Sequence, residues 1–262
     1  LFEGDGVGAQ RLQGNPIDAP AYRFMDGAQA LADALAARLG PGRLHLGEPV
    51  SAITVEEDLV TVQARSASEI AAQAIVAVPP ALAAEGIRFT PDLPADLRAA
   101  AEATTVWMHD MVKAVAVYPH AFWRDDRLAG AAISYVGPFR EFHDHSGPEG
   151  MPAAIFGFAT AASLDDDHAE AIGDRFVAQL ARLFGPQAAQ PSEVHVLDWS
   201  REAFTSPSGG DSARTTSWFG APVLRQVVAG RVRLASTETA SAYAGRSEEH
   251  TSELQSRLHL VC

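Results

Sequence analysis

The sequence predicts a mixed fold in which an α/β part is interleaved with an α+β part. Between residues 27 and 103, segments with helical periodicity alternate with short apolar segments of strand length. Between residues 111 and 199, strand-like segments dominate and enclose one long amphipathic helix. With 262 residues, 47% of them hydrophobic and 20% charged, the chain can bury a large core, and one or two domains are expected.

Three helices and nine strands are predicted. The helices span residues 27–39, 94–103 and 166–184, and the first is expected to be capped by Asp26 and to end at Gly40. A turn at residues 56–58 predicts a hairpin, and residues 137–150 read as a polar loop. The strands are predicted at residues 43–46, 50–55, 59–64, 74–78, 111–118, 130–136, 153–159, 193–199 and 231–235.

Composition excludes several classes of function. The net charge of -13 argues against nucleic-acid binding, because nothing would neutralise the phosphates. The single cysteine, Cys262, allows neither a disulfide framework nor a thiolate metal site, which fits a reducing compartment and predicts a cytoplasmic location. The most apolar stretch, residues 71–84, is interrupted by Pro79 and Pro80, so no membrane span is expected.

The two ends of the chain differ from its body. Residues 1–25 are expected to be a loop or the remnant of an earlier element, and Gly4, Gly6 and Gly8 do not make a dinucleotide fingerprint because the strand, the helix and the third glycine of that pattern are missing. Residues 246–256 read like the translation of a common sequencing-adapter oligonucleotide. We therefore expect residues 246–262 to be a non-native tail.

Several polar motifs have ordinary structural explanations. His143 and His145 flank Asp144, but without further ligands a solvated loop is favoured over a metal site, and no metal is predicted. The acidic run at residues 165–167 suits the start of the long helix. Glu238 could act as a general base, or residues 236–239 could form an anion- or cofactor-binding corner at a helix start; spacing leaves both open.

Lys113 is the only lysine among 20 Lys and Arg residues. A two-residue period places it on the same strand face as Val115 and Val117, which is an apolar surface. An ammonium is costly to bury there, so Lys113 either lies at the edge with its head group in water or has a functional partner.

The order of the motifs along the chain resembles the monoamine-oxidase-type flavin amine oxidases. The resemblance covers about residues 22–245. It is carried by Gly27-Ala28-Gln29, Glu48-Pro49-Val50, Ala77-Val78-Pro79-Pro80, residues 87–94, Lys113 with Trp123 ten residues later, Asp198-Trp199, Ser208-Gly209-Gly210 and Thr237-Glu238-Thr239-Ala240.

The resemblance implies an incomplete FAD/NAD(P)-binding-type flavoprotein fold, interleaved with a mixed-sheet substrate domain. Residues 26–92 would form part of the FAD-binding domain, residues 93–204 the substrate-binding domain, and residues 205–245 the C-terminal part of the FAD-binding domain. The first strand of the family, with its glycine-rich phosphate loop, has no counterpart in the sequence.

The same resemblance assigns roles to residues. Lys113 matches the catalytic lysine that holds a water against flavin N5. Ser212 stands at a wall of the substrate cage, and Asp211 stands where some members carry a cysteine bonded to flavin, so FAD is expected to be held non-covalently. The residues implied to bind the cofactor are Gly27, Val50, Ala77, Pro79, Trp199, Glu238, Thr239 and Gly245.

The implied function is that of a fragment of an FAD-dependent amine oxidase, which oxidises a small amine to an imine and aldehyde and reduces O2 to hydrogen peroxide. One alternative is another flavoprotein of the same superfamily, such as a carotenoid-desaturase-like or protoporphyrinogen-oxidase-like enzyme. The other is a non-catalytic remnant or small-ligand-binding module, which the missing phosphate loop favours for this chain. The sequence identifies neither the amine nor the oligomeric state.

Overall fold

The computed structural model describes residues 2–4, 9–11, 24, 26–106, 108–164, 168–207, 214–241 and 244. Contacts divide the chain into two units, residues 1–47 and residues 48–262. Among the described residues, no helix combines the length and the apolar character needed to cross a membrane.

The first unit contains a short hairpin and one helix. Strands β1 (Phe2–Gly4) and β2 (Ala9–Arg11) pair antiparallel, where the sequence predicts a loop. Helix α1 (Gln29–Leu39) begins two residues later than predicted and ends, as predicted, at Gly40, whose φ of 81° suits glycine. Ala28 occupies the N-cap position and makes no side-chain cap bond, so the expected cap by Asp26 is wrong.

The strand predicted at residues 43–46 is also wrong. These residues form a bend and irregular backbone that ends in a turn, and they lie between Gly42 and Gly47, both with a φ of 72°.

The second unit begins with a four-stranded sheet and two helices. Strands β3 (Val50–Glu56) and β4 (Leu59–Ala64) form the predicted hairpin. They are followed by β5 (Ser68–Ala71), β6 (Ala74–Val76), helix α2 (Pro80–Gly86), β7 (Arg88–Thr90) and helix α3 (Ala95–Ala103). The sheet order is β5-β4-β3-β7, with β7 parallel to β3.

Helix α2 directly follows the strand predicted at residues 74–78, and no helix was predicted there. Pro79 takes the N-cap position and Pro80 the first helical position, where the absence of a backbone N–H costs nothing. Helix α3 confirms the predicted helix, with Pro94 before its first residue.

A five-stranded antiparallel sheet forms the centre of the second unit. It comprises β8 (Met111–Tyr118), β9 (Ala132–Ile133), β10 (Glu141–Asp144), β11 (Ala153–Thr160) and β12 (Glu193–Asp198), with the four-residue helix α4 (Phe122–Asp125) after β8 and helix α5 (Ala169–Phe184) before β12. The strand order is β12-β8-β11-β10-β9. The predicted polar loop at residues 137–150 therefore contains a strand, and the predicted strand at 130–136 shrinks to two residues.

One face of this sheet packs on α5. Burial alternates strictly along β8, with Val112, Ala114, Ala116 and Tyr118 buried. Phe176 of α5 stacks on Phe142 of β10 with ring centroids 5.9 Å apart. Burial raises the pKa of the Tyr118 hydroxyl, which donates a hydrogen bond to the Ala188 carbonyl at 2.9 Å. The helix begins at Ala169 after an N-cap His168, and the acidic residues 165–167 lie outside the described residues.

A second core joins the beginning and the end of this unit. Strands β13 (Val227–Val228) and β14 (Val232–Leu234) form a hairpin, and β14 pairs parallel with β6. The core includes Ile53, Val60, Leu97, Ala101, Leu224 and Val232, so α3 packs with the four-stranded sheet rather than on α5.

Candidate active site

Lys113 lies on the face of β8 that does not pack on α5. In the sheet register it is flanked by Phe158 of β11 and Leu197 of β12. Its Nζ lies 4.5 Å from the ring centroid of Phe156 and 5.8 Å from that of Phe158. Burial lowers the pKa of the Lys113 ammonium below its usual range. The side chain therefore lies over aromatic rings, and it does not extend away from the sheet.

We name the surface around Lys113 the open sheet face. It combines aromatic and aliphatic side chains with two acid–imidazole pairs: Glu141 lies 3.6 Å from His143, and Glu193 lies 3.0 Å from His195. The open sheet face consists of Lys113, Val115, Val117, Glu141, His143, Phe156, Phe158, Glu193, His195 and Leu197.

A cleft of about 1020 Å³ lies beside the first sheet of the second unit. Val50 and Ala77, two of the residues that the resemblance assigns to the cofactor, both line it. The charged side chains in its lining are Glu48, Arg65 and Glu85. Its size reaches the upper end of the range for ligand pockets, about 300–1,000 Å³.

Three residues that the resemblance assigns to the cofactor, Ala77, Glu238 and Thr239, follow strands β6 and β14 at one edge of a sheet. The strands are parallel, with Leu234 opposite Val76. Their carboxyl ends therefore point the same way, and in open α/β sheets ligands bind outside such ends. Ala77 follows β6, and Glu238 and Thr239 follow β14 in a single 3-10 turn (Thr237–Thr239).

Both of these turn residues are buried. Glu238 is 1% exposed and Thr239 3% exposed. The Glu238 carbonyl accepts a hydrogen bond from the Gly220 N–H, and the Thr239 hydroxyl donates one to the Ser236 carbonyl. The turn does not continue into a helix, because Ala240 is extended with a ψ of 135°. The expected helix start at residues 236–239 is thus one turn only.

The remaining predicted site residues lie elsewhere. Pro79 caps α2 and does not line the cleft, and Trp199 starts a 3-10 turn directly after β12, half-exposed. Gly27, with a φ of 80°, belongs to the first unit. Gly245 and Ser212 lie outside the described residues.

Sequence reasoning missed the aromatic partners of Lys113. Phe156 and Phe158 are two residues apart on a predicted strand, and this spacing alone places both rings on one face. What the sequence did not show was that β11 is the neighbour of β8.

His143 and Asp144 are engaged with Glu141 and Arg124 respectively, and the described residues contain no group of three or more metal-ligand side chains.

The second unit thus combines a sheet with a parallel strand pair, in which β6 residues line a cleft, with an antiparallel sheet that presents Lys113 over aromatic rings, which is a mixed α/β and α+β architecture. The model of the family described as flavin containing amine oxidoreductase matches residues 9–249. The chain belongs to this family.

Curated relatives and solved structures agree with this assignment. A protein named as a probable flavin-containing monoamine oxidase A in Dictyostelium discoideum is 29% identical over 86% of this chain and 50% of its own length. Putrescine oxidase of Kocuria rosea is 26% identical over 70% of this chain and 41% of its own length. The chain spans about half the length of the curated relatives it matches.

Two solved structures show the same fold. A putrescine oxidase bound to putrescine superimposes with a TM-score of 0.75 and 25% identity, covering 87% of this chain and 51% of that one. The cyclohexylamine oxidase from Brevibacterium oxydans superimposes with a TM-score of 0.71 and 28% identity, covering 84% of this chain and 49% of that one. The FAD-dependent amine oxidase fold implied by the sequence is confirmed.

Proposed function

We propose that this chain is part of an FAD-dependent amine oxidase that converts a small amine to an imine, which water hydrolyses to an aldehyde, while O2 is reduced to hydrogen peroxide. The observation that carries the proposal is the half-buried Lys113 side chain, whose ammonium lies over Phe156 on the open sheet face. Burying a single ammonium on an apolar strand face costs free energy, so a functional partner explains the presence of Lys113 there better than chance does.

The described residues fit a bound FAD. The cleft beside β3 and β6 has the volume for a dinucleotide-sized ligand, and Val50 and Ala77 line it. Glu238 and Thr239 lie at the strand-end edge where open α/β sheets bind ligands. We propose that these four residues hold the cofactor, with Pro79, Trp199 and Gly245 as further contacts, and that binding is non-covalent because Asp211 stands where some members of the family carry a cysteine.

When bound, the flavin would accept a hydride from the amine carbon and pass two electrons to O2. Lys113 would contribute a fixed positive charge on a wall of the site, where negative charge develops during oxygen reduction, and would orient a water molecule by donating to it. The apolar side chains around Lys113 would exclude bulk water and strengthen this electrostatic effect.

We infer the substrate class from the names of the similar proteins. Putrescine oxidase and cyclohexylamine oxidase are amine oxidases by name, and we propose a small-molecule amine with O2 as co-substrate. Ser212 would stand at the substrate cage. We further propose that residues 26–92 and 205–245 belong to the FAD-binding domain, that residues 93–204 bind the substrate, and that the protein is cytoplasmic.

The test is Lys113→Met in the complete oxidase. We expect FAD content to be unchanged and flavin reoxidation by O2 to slow at least tenfold, because the positive charge is lost. Stopped-flow absorbance of the reduced flavin measures the rate. Arg88→Met, which removes a positive charge at an exposed position of β7 in a different sheet, is the matched control and should reoxidise normally. Equal rates for the Lys113 variant and the unchanged enzyme would contradict the assigned role.

The chain as it stands offers a second test. If it retains the cofactor site, adding FAD to the purified chain should give a bound, red-shifted visible flavin spectrum after gel filtration. A chain that folds, shown by circular dichroism, and never retains flavin would support the non-catalytic alternative for this polypeptide.

A further inference from the structure

The Lys113 ammonium has a specific neighbour, which is not the residue directly opposite it. In the register of the sheet, Phe158 faces Lys113 and Phe156 faces Val115. Nevertheless Nζ lies closer to the ring of Phe156, at 4.5 Å, than to that of Phe158, at 5.8 Å. A cation within about 6 Å of a ring centroid is attracted by the negative face of the ring. The lysine side chain thus reaches diagonally across the ladder to Phe156.

The ring of Phe156 is itself held by three aromatic neighbours. Phe158 packs edge-on at 5.3 Å between centroids, and His145 packs edge-on at 5.1 Å. His143 lies at 5.2 Å with its plane tilted by 32°. A ring supported on three sides offers a fixed surface to the ammonium, and that limits the rotamers available to a flexible side chain.

We propose that Phe156 is a positioning residue for Lys113, because its ring holds the ammonium at one place on the open sheet face and favours the charged form. The functional meaning of this inference rests on the proposed role of Lys113 in flavin reoxidation. The physical claim, that the ring stabilises the cation, stands apart from it.

Other charged and titratable groups face the same surface. They are Glu141 and His143 on β10, His145 after it, and Glu193 and His195 on β12. Each carboxylate lies next to a histidine of its own strand, at 3.6 Å and 3.0 Å respectively. Substitution of Phe156 also removes the packing of His143 and His145 on its ring, so Phe158→Leu, which removes neither of these two contacts, is the comparison for Phe156→Leu.

The test uses the fact that Lys113 is the only lysine in the chain. Protein labelled with 13C-lysine gives one set of side-chain signals, and the Cε shift followed against pH gives the Lys113 pKa without assignment. Phe156→Leu should lower this pKa by about 0.5 unit, because a cation–π contact contributes about 0.5–1 kcal/mol and one unit corresponds to about 1.4 kcal/mol. Phe158→Leu should lower it less, and Phe156→Trp should keep or raise it.

Phe142→Leu is the matched control, because Phe142 lies on the other face of the same sheet and contacts Phe176. It should reduce the melting temperature without moving the lysine pKa. Circular dichroism melts identify which variants fold at the temperature of the titration. The proposal would be overturned if the Lys113 pKa in Phe156→Leu rises or stays within about 0.2 unit of its value in the original chain. It would also be overturned if Phe142→Leu shifts the Lys113 pKa as much as Phe156→Leu does.

The complete oxidase then tests the functional meaning. If Lys113 must be charged for reoxidation, the midpoint of the pH profile of that rate should move down in Phe156→Leu by the same amount as the lysine pKa. Reoxidation that is insensitive to Lys113→Met would overturn the proposed function and leave the pKa result standing. If Lys113→Met slows reoxidation but Phe156→Leu leaves the pH midpoint of the rate unchanged, only the positioning role of Phe156 would be overturned.

Discussion

The side-chain amide of Gln179 hydrogen-bonds both backbone polar groups of Phe139. Its Oε1 accepts from the Phe139 N–H at 3.2 Å, and its Nε2 donates to the Phe139 carbonyl at 2.7 Å. The same nitrogen also donates to the Val136 carbonyl at 2.8 Å. Gln179 belongs to α5 and is 1% exposed, so one buried amide fixes the segment before β10 against the long helix.

Replacing this amide should be costly. Gln179→Leu keeps the volume and leaves the buried N–H and carbonyl of Phe139 without this partner, whereas the Val136 carbonyl keeps the hydrogen bond from the Ser134 hydroxyl. Each such group costs about 1–3 kcal/mol, and we expect the free energy of unfolding to fall by about 2–4 kcal/mol. Urea denaturation followed by circular dichroism measures it. Gln190→Leu, at an exposed position, is the control and should change stability by less than about 0.5 kcal/mol. A similar loss in both variants would contradict the assignment.

Gly157 should not tolerate a side chain. A Cβ there would lie 2.8 Å from Cε2 of Phe176 and 3.0 Å from the carbonyl oxygen of Glu141. Because both neighbours are packed, Gly157→Ala should destabilise the chain by about 1–3 kcal/mol. Gly86→Ala is the control, since nothing lies within 4 Å of its Cβ and the position is helical. A lower melting temperature for Gly86→Ala than for Gly157→Ala would show that the close approach of Phe176 and Glu141 to Gly157 is unimportant.

Asp144 should contribute stability that acid removes. Burial alone would raise its pKa, but hydrogen bonds from Ser146, Trp123 and Arg124 outweigh burial and lower it. A carboxyl whose pKa is lower in the folded than in the unfolded state stabilises the fold above its unfolded value of about 3.9. That contribution is lost as the pH falls through the lowered folded pKa.

Asp144→Asn should therefore melt at a lower temperature at pH 7, and its melting temperature should depend less on pH between about 5 and 2 than that of the original chain. Melting temperature against pH by circular dichroism measures both effects. Asp126→Asn, at an exposed position, is the control. An Asp144→Asn curve parallel to the original curve across this window would refute the linkage.

Ala77→Glu should weaken FAD binding in the complete oxidase. The substitution places a carboxylate in the cleft, where the proposed ligand carries phosphates, and like charges at close range repel. We expect at least a tenfold rise in the dissociation constant, measured by flavin fluorescence. Ala72→Glu adds the same charge at an exposed position outside the cleft lining and should bind FAD normally. Equal dissociation constants for both variants would remove the cleft from the proposed cofactor site.

Most regular elements followed from local patterns. The β3–β4 hairpin, α3, β8, β11 and the body of α5 lie close to their predicted positions, because their periodicity and terminating residues are properties of short segments. The errors fell where pairing or packing overrides local preference. Strand β10 was read as a loop because its sequence, EFHD, is polar and becomes a strand through its pairing with β11.

The sequence by itself determined the family, the position of Lys113 and the strand face on which Lys113 lies, because motif order and a two-residue period can be read from the linear sequence. Only the tertiary structure decided what that face meets. It placed Phe156 under the ammonium, brought the ends of β6 and β14 to one edge, and set Val50 and Ala77 in one cleft. These are contacts between residues far apart in the chain, and strand order, which no local pattern encodes, sets them.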